Sequence, residues 1–497
     1  MRKYILEIIV FICGAAVMIL ELVGSRIMAP YLGTSIVVWT SLIGIILGFL
    51  SLGYFFGGKF ADQNPTYKMF SFIIFNSAIF VGLIVFIESI VLNFIQQSII
   101  DIYLGTIIAT LALFALPSAL LGMVSPYAVR LKMKAVETSG KTVGNLYAIS
   151  TIGSIVGTFA AGFLLIPFFG STKIIFFLSI GLILTSILAY ARSFLKAKII
   201  TTLFLLLCFF ISISISQLKA KAGFIDIDTQ YNRVWIYQSI DQTTQRPILV
   251  LQTDPFSLQS AMFTDIEDDL VFSYTKYYRL AKHFKPDLQH SLLIGGAAYS
   301  YPKDYLIRYP EAKIDVIEID AKLTKLAREY FRLEDNPRLK IYHQDGRTFL
   351  NKTENKYDVI FMDVFTSHIS LPYQLTTRET IEKMYQKLTD GGVVMANIIS
   401  AIEGEKGQFL RAEYRTYKEI FPQVYLFPVR NKNNGQEVQN IILVALKSDS
   451  KPSFTSNDQE LNSYLEHLWT KEIKLDLPVL TDDYAPVDYY TMKLIEI

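Results

Sequence analysis

The chain has 497 residues, too many for one ordinary domain of about 100 to 200 residues, so at least two domains are expected. Its formal net charge of +2 hides a division: up to Gln217 there are 13 Lys/Arg against 6 acids among long apolar runs, and beyond it 34 against 39 at ordinary globular density. No Lys/Arg run points to nucleic acid, and the two cysteines, Cys13 and Cys208, sit in apolar runs, which excludes a disulfide framework or Cys-based zinc site in the second half.

A membrane-spanning helix needs about 20 mostly apolar residues to cross a hydrocarbon layer about 30 Å thick. Seven stretches qualify: Tyr4 to Val23, Ile36 to Phe56, Met69 to Phe94, Ile102 to Val124, Val143 to Phe168, Ile174 to Ala191 and Ile199 to Ser216. The first is expected to be a retained helix and not a signal peptide, because further spans follow it. Glycines four residues apart, at Gly44/Gly48, Gly53/Gly57 and Gly153/Gly157, predict faces where helix backbones approach closely, with a glycine-lined substrate path as the alternative. Glu21, followed by Arg26, is expected near a helix end, where its carboxylate reaches the interface; the alternative is a functional acid in the membrane. Placing the amino terminus inside puts eleven Lys/Arg, from Arg2 to Lys198, on the cytoplasmic side and leaves only Arg26 and Lys173 in outer loops. Seven spans then put the rest of the chain outside, in a multi-pass protein of the cell (inner) membrane.

After Phe224 the pattern changes. VWIYQSI and PILVLQT, separated by DQTTQR, read as a hairpin, and a helical stretch is expected around Phe272 to Phe284. Strand-like SLLIGG, KIDVIEID, LKIYHQD, YDVIFMD, GGVVMANII and IILVAL then alternate with helical segments, the pattern of a mostly parallel sheet with a ligand crevice at the strands' carboxyl ends. Gly295 and Gly296 end the first of these strands, Glu318 the second, Asp345 and Gly346 the third and Asp363 the fourth. Such an acid can simply cap the following helix, but four polar or glycine ends in order predict a nucleoside site.

These motifs resemble the spermidine synthase family, over roughly Asp228 to Leu446. LLIGGAAYSYPKDYL resembles its glycine-rich loop, VIEIDAKLTKLAREYF its ribose-binding segment, HQDGRTFL its adenine-contacting segment and YDVIFMDVF its catalytic strand; FSY, LQTDPFSLQ and LTDDYAPV add support. The whole chain resembles the subgroup in which such a domain follows a multi-helix membrane region. The resemblance implies a transmembrane helical domain at 1–217, a small β-hairpin domain at 222–262, and a methyltransferase-like (Rossmann-like) α/β domain at 263–497. It also implies that Glu318 binds ribose and Asp345 the adenine amine, with Gly295, Gly296 and Gly346 beside the nucleoside. Asn232 and Gln259 would reach the donor from the hairpin domain, Tyr274 and Tyr277 would contact substrate, and Asp363 would be catalytic. The family moves an aminopropyl group from decarboxylated S-adenosylmethionine to a diamine.

The sequence departs from that pattern at three acids. The family's glycine-loop aspartate, which grips the donor's amine, is Ala298; its general-base aspartate falls at Thr366; and its amine-binding acid becomes Lys276 or Arg279, depending on register. The adenosine contacts survive and the polyamine contacts do not, which makes putrescine a doubtful acceptor. Lys276 or Arg279 could pair with a carboxylate on substrate, or be a solvated helix charge. Asp363 is left as the candidate base, with His368 as a second.

Three functions are expected to compete. The first is a membrane-bound transferase moving an aminopropyl-type group from decarboxylated S-adenosylmethionine, or a related sulfonium, to a small-molecule or surface-linked amine. The second transfers a methyl or aminocarboxypropyl group from intact S-adenosylmethionine. The third is a transporter or sensor whose domain only binds a nucleoside or polyamine. The expected partner surface is a lipid bilayer, with a homodimer left open and no nucleic acid. No metal is expected, since the five histidines show no ligand spacing.

Overall fold

A computed structural model describes residues 4–98, 101–133, 135, 139–253, 258–265, 269–364 and 371–494. The chain forms two compact units, Met1–Arg233 and Val234–Ile497.

Among the described residues of the first unit, seven helices are long and apolar enough to cross a membrane. They begin with α1 (Ile5–Leu32), α2 (Ile36–Gln63) and α3 (Tyr67–Ser98); α4 (Ile102–Gly122) then runs into α5 (Val124–Lys132). The fifth joins α6 (Ser139–Ala160) through a π-helical turn, Ala161–Leu165, to α7 (Ile166–Phe169); α8 (Ser171–Ala189) and α9 (Leu195–Lys221) complete the set. A short strand, β1 (Ile225–Asp228), follows. Most helices outrun the predicted spans because polar residues extend them past the apolar run.

Two of the three glycine pairs are packing faces. A Cβ on Gly53 would lie 2.1 Å from the Ala119 carbonyl oxygen and one on Gly57 2.6 Å from Met123 Cα, so α2 rests on the backbone at the end of α4. On Gly153 and Gly157 it would lie 2.1 Å from the Phe11 and 2.5 Å from the Ala15 carbonyl oxygens, which brings α6 against α1. Gly44 and Gly48 are a correction: a Cβ there meets nothing within 4 Å. Glu21 is a second correction. Its helix continues to Leu32 and the residue is 8% exposed, so it does not lie at a helix end. Arg26 lies on the same helix and not in a loop, donating to the Tyr231 carbonyl and, at 2.9 Å, to that of Thr229. Lys173 likewise opens α8. Lys198, expected in a loop, is buried in α9, where its ammonium donates to Ser71 Oγ (2.6 Å) and to the carbonyls of Ser186 and Tyr190 (both 3.2 Å). Its positive charge thereby meets the carboxyl end of α8, where the helix dipole favours a cation.

The second unit contains β2 (Arg233–Ile240, its first residue in the other unit), β3 (Pro247–Gln252) and β4 (Ser260–Phe263), paired antiparallel in that order. Then come α10 (Ser273–Tyr277), a 3-10 turn, and α11 (Ala281–Phe284). The main body alternates β5 (His290–Ile294), α12 (Ser300–Arg308), β6 (Lys313–Ile317), α13 (Ala321–Tyr330), β7 (Leu339–Tyr342), α14 (Gly346–Lys352), β8 (Tyr357–Met362), α15 (Arg378–Lys387) and β9 (Leu388–Ser400). It ends with α16 (Gln408–Lys418), β10 (Gln423–Pro428), β11 (Gln439–Leu446), α17 (Gln459–Leu465) and α18 (Val487–Met492). The sheet order is β10-β11-β9-β8-β5-β6-β7, parallel from β9 to β7 and antiparallel across β11 and β10. This is the expected methyltransferase-like Rossmann fold. Leu292, Val316, Ile360 and Val394 are fully buried because helices cover both sheet faces, so these strands read as apolar runs. β10 has no counterpart in the sequence reading.

Candidate active site

Parallel strands end on one edge, so the residues after Ile294, Ile317, Tyr342 and Met362 share it. Gly295 has φ +98°, and a Cβ there would stand 2.1 Å from the Asp363 carbonyl oxygen. Glycine alone fits, because the two strand ends touch through backbone. Ala297 (φ 45°) and Tyr299 (φ 57°) also lie in the left-handed region, a strain of about 1 to 2 kcal/mol each that the surrounding contacts must offset.

Those contacts come from Glu318, which is 6% exposed. Its Oε2 accepts from the N–H groups of Gly296 (3.0 Å) and Ala297 (2.9 Å), and its Oε1 from that of Asp320 (2.9 Å). Burial pushes its carboxyl above the ordinary range, and the three N–H groups oppose that. A carboxylate has about four acceptor positions and is no donor; with three filled, one on Oε1 is left for a hydroxyl. Asp345 caps α14, accepting from Thr348 N at 2.8 Å. At Gly346 a Cβ would come within 2.7 Å of Ile294 Cγ2, which keeps the start of α14 against β5.

Asp363 ends β8. Tyr274 donates its hydroxyl to Oδ2 (3.1 Å), Asn397 its amide to Oδ1 (3.2 Å), and the Tyr278 hydroxyl lies beside it. Burial outweighs these donors and pushes the carboxyl up to about 6. Burial also raises both tyrosines well above the ordinary phenol range, so they stay protonated. Asn440 donates to Asn397 Oδ1 at 2.9 Å and so turns the Asn397 amide nitrogen towards Asp363. The crevice beside Asp363 is lined further by Gln259, Phe272, Gly295, Gly296, Ser300 and Tyr301. Gln259 also accepts from Thr253 Oγ1 at 3.0 Å.

Several expectations need correction. Tyr277 does not face the crevice: it is buried against Tyr464 with ring centroids 4.6 Å apart, its hydroxyl 3.3 Å from the Val429 carbonyl. Tyr278 takes the place beside Asp363: it follows Tyr274 by four residues, one helical turn, and so shares its face. Lys276 pairs with Asp269 (3.2 Å). Arg279 is 4% exposed, pairs with Asp304 (2.6 Å) and Glu460, and is neither a substrate cation nor a solvated charge. Asn232 lies in the first unit, where its backbone closes a turn with Thr229. Thr366 and His368 lie outside the described residues.

The sequence reading missed Tyr278, Asn397 and Asn440. A lone amide inside the buried run GGVVMANII was a usable signal for Asn397, since a polar group in a core strand needs a partner. A roomier cavity of about 590 Å³ lies past the end of β9, against about 30 Å³ beside Asp363. The smaller one is the candidate site: it holds the strand-end glycines and the perturbed acid, whereas Arg411 in the larger is committed to Asp476 and to backbone carbonyls. Among the described residues no group of three His, Cys, Asp or Glu side chains could hold a metal.

Among solved structures, that of a probable spermidine synthase from Corynebacterium glutamicum ATCC 13032 is 24% identical, with a TM-score of 0.40, covering 53% of this chain and 90% of its own. The polyamine aminopropyltransferase of Vibrio vulnificus (strain CMCP6) is 24% identical over 248 residues, 46% of this chain and 80% of that protein. A probable polyamine aminopropyl transferase of Bifidobacterium longum (strain NCC 2705) is 26% identical over 329 residues, 61% of this chain and 70% of that protein. Residues 272–437 match the family described as the spermine/spermidine synthase domain. The chain is therefore an aminopropyltransferase-like enzyme that carries a spermidine synthase domain, and among its described residues seven long apolar helices precede that domain.

Proposed function

We propose that the second unit moves an aminopropyl-type group from decarboxylated S-adenosylmethionine, or a related sulfonium, to an amine acceptor near a membrane. The observation that carries this reading is Asp363, a half-buried strand-end carboxyl raised to about 6 and held by Tyr274 and Asn397 beside the glycine loop. The sulfonium is already a good electrophile, so the protein's task is to hold an amine in line with the carbon beside sulfur. The amine lone pair forms the new N–C bond, the C–S bond breaks, and its electrons neutralise sulfur to give methylthioadenosine. The nitrogen's proton passes to Asp363, whose raised pKa suits a base working near neutrality. Glu318 and Asp345 would hold ribose and adenine, and Gln259 and Tyr274 would line the reacting end. Release of methylthioadenosine from decarboxylated S-adenosylmethionine by the purified full chain tests the reading; turnover giving only S-adenosylhomocysteine from the intact donor would sink it.

A second reading, transfer from intact S-adenosylmethionine, is favoured by Ala298, which is fully buried where the family grips the donor's amine. In both readings the first unit is a multi-pass anchor in the cell (inner) membrane. The Lys/Arg bias favours a cytoplasmic amino terminus and an extracytoplasmic catalytic unit. A reporter fused after Ile497 and active only in the cytosol would reverse that orientation.

A further inference from the structure

Glu318 keeps one open acceptor position, on Oε1, whereas a ribose presents two neighbouring hydroxyls. The N–H that fills the other position on Oε1 belongs to Asp320, at 2.9 Å, so the two carboxylates stand together just past the end of β6. Burial and, to a lesser degree, the charge of Asp320 raise the Glu318 carboxyl, which shows how near the two acids are. Asp320 is 1% exposed. Its Oδ1 caps α13, accepting from Lys322 N at 3.0 Å, while its Oδ2 is buried with no hydrogen-bond partner among the described residues.

Capping accounts for only one of these two oxygens, and Ser or Asn would cap a helix as well as Asp does. A buried carboxylate oxygen left without a donor is costly, and a ligand hydroxyl arriving beside Glu318 would remove that cost. We propose that Asp320 is a second diol-binding carboxylate: Glu318 Oε1 accepts from one ribose hydroxyl and Asp320 Oδ2 from its neighbour. The ligand class is a nucleoside with both ribose hydroxyls free. This rests on the nucleoside reading of the site and adds a residue to it. It also makes the site selective, since a deoxynucleoside leaves one of the two buried oxygens unpaired.

The test is calorimetry of the full chain in detergent with methylthioadenosine and with its 2′-deoxy and 3′-deoxy forms. The wild-type chain is expected to bind each deoxy form at least tenfold more weakly, the worth of a hydrogen bond to a charged group. Asp320→Asn keeps an oxygen for the cap and turns the other position into a donor. It is expected to lose at least tenfold for methylthioadenosine and for one deoxy form, and less than threefold for the form lacking the hydroxyl that Asp320 takes. Asp320→Ser, which also caps, carries the same comparison should the Asn variant not fold. Binding of methylthioadenosine within threefold of wild type by the folded variant overturns the inference, as does an equal loss for all three ligands, the mark of a disturbed loop. A wild-type chain indifferent to either hydroxyl overturns it too, and in each of these cases the nucleoside reading stands. No binding of methylthioadenosine by the wild-type chain overturns both.

Discussion

Replacing Asp363 by Asn removes a base while keeping shape and hydrogen bonds, so activity and stability are expected to move in opposite directions. The folded carboxyl titrates at about 6, and an unperturbed Asp titrates near 3.9. A folded value above the unfolded one means that the wild-type chain is most stable below pH about 4 and loses that stability as pH rises through 6. Two units at about 1.4 kcal/mol each give ~3 kcal/mol, and partial solvent access reduces this to ~1–2 kcal/mol. Asp363→Asn, uncharged throughout, is therefore expected to be more stable than wild type by that amount at pH 7.5 and equal to it near pH 4, in paired thermal melts of the full chain. Its turnover is expected to fall by about 10² to 10⁴, the usual worth of a positioned base. Wild-type kcat/KM should rise through pH about 6 as the carboxylate forms. A stability difference that stays constant between pH 4 and 7.5, or more than a tenth of wild-type turnover in the variant, would refute this account of Asp363.

Asn440→Ala frees the Asn397 amide to rotate, and the acidic limb of the pH–rate profile is expected to move up by about one unit, since a hydrogen bond to a charged group is worth ~1.5–3 kcal/mol. Gly295→Ala meets both a positive φ and the Asp363 carbonyl, so a loss of roughly 2–4 kcal/mol in melts and loss of nucleoside binding by calorimetry are expected. Arg279→Met leaves the Asp304 carboxylate buried without its closest cation, at an expected cost of about 3–5 kcal/mol in denaturant titration. In the helical unit, Gly153→Leu is expected to reduce the yield of folded protein from size-exclusion in detergent, whereas Gly44→Leu is expected to leave it unchanged.

The parts legible in the sequence depend on local regularity. Seven apolar runs became seven long helices, and four strand-end motifs arrived on one edge, because both patterns follow from the rise and pleat of the backbone. The illegible parts depend mostly on distant partners. The charge of Arg279 is met by residues 25 and 181 positions along the chain, which no local pattern discloses. Tyr277 and Tyr278 are both buried, and only their packing partners, Tyr464 for one and Asp363 for the other, decide which reaches the crevice. Glu21 misled because its apolar run stops near Val23 while the helix continues through Ser25 and Arg26. Gly44 and Gly48 have the right spacing but face no neighbour; spacing alone does not select the partner.

The ion cluster of Arg279, Arg308, Asp304 and Glu460 ties α12, which follows the glycine loop, to α17 near the end of the chain. Asp482, further still, holds Arg347 at 2.8 Å and Thr377 at 2.6 Å. Synthesis runs from the other end, at about 5 to 20 residues per second. The glycine loop is therefore made well before its braces, and the second unit is fully fastened only after Glu460 and Asp482 have left the ribosome. Nascent chains stalled before Glu460 would already carry every described strand of the sheet and still lack the fastening that Glu460 gives Arg279 and Arg308.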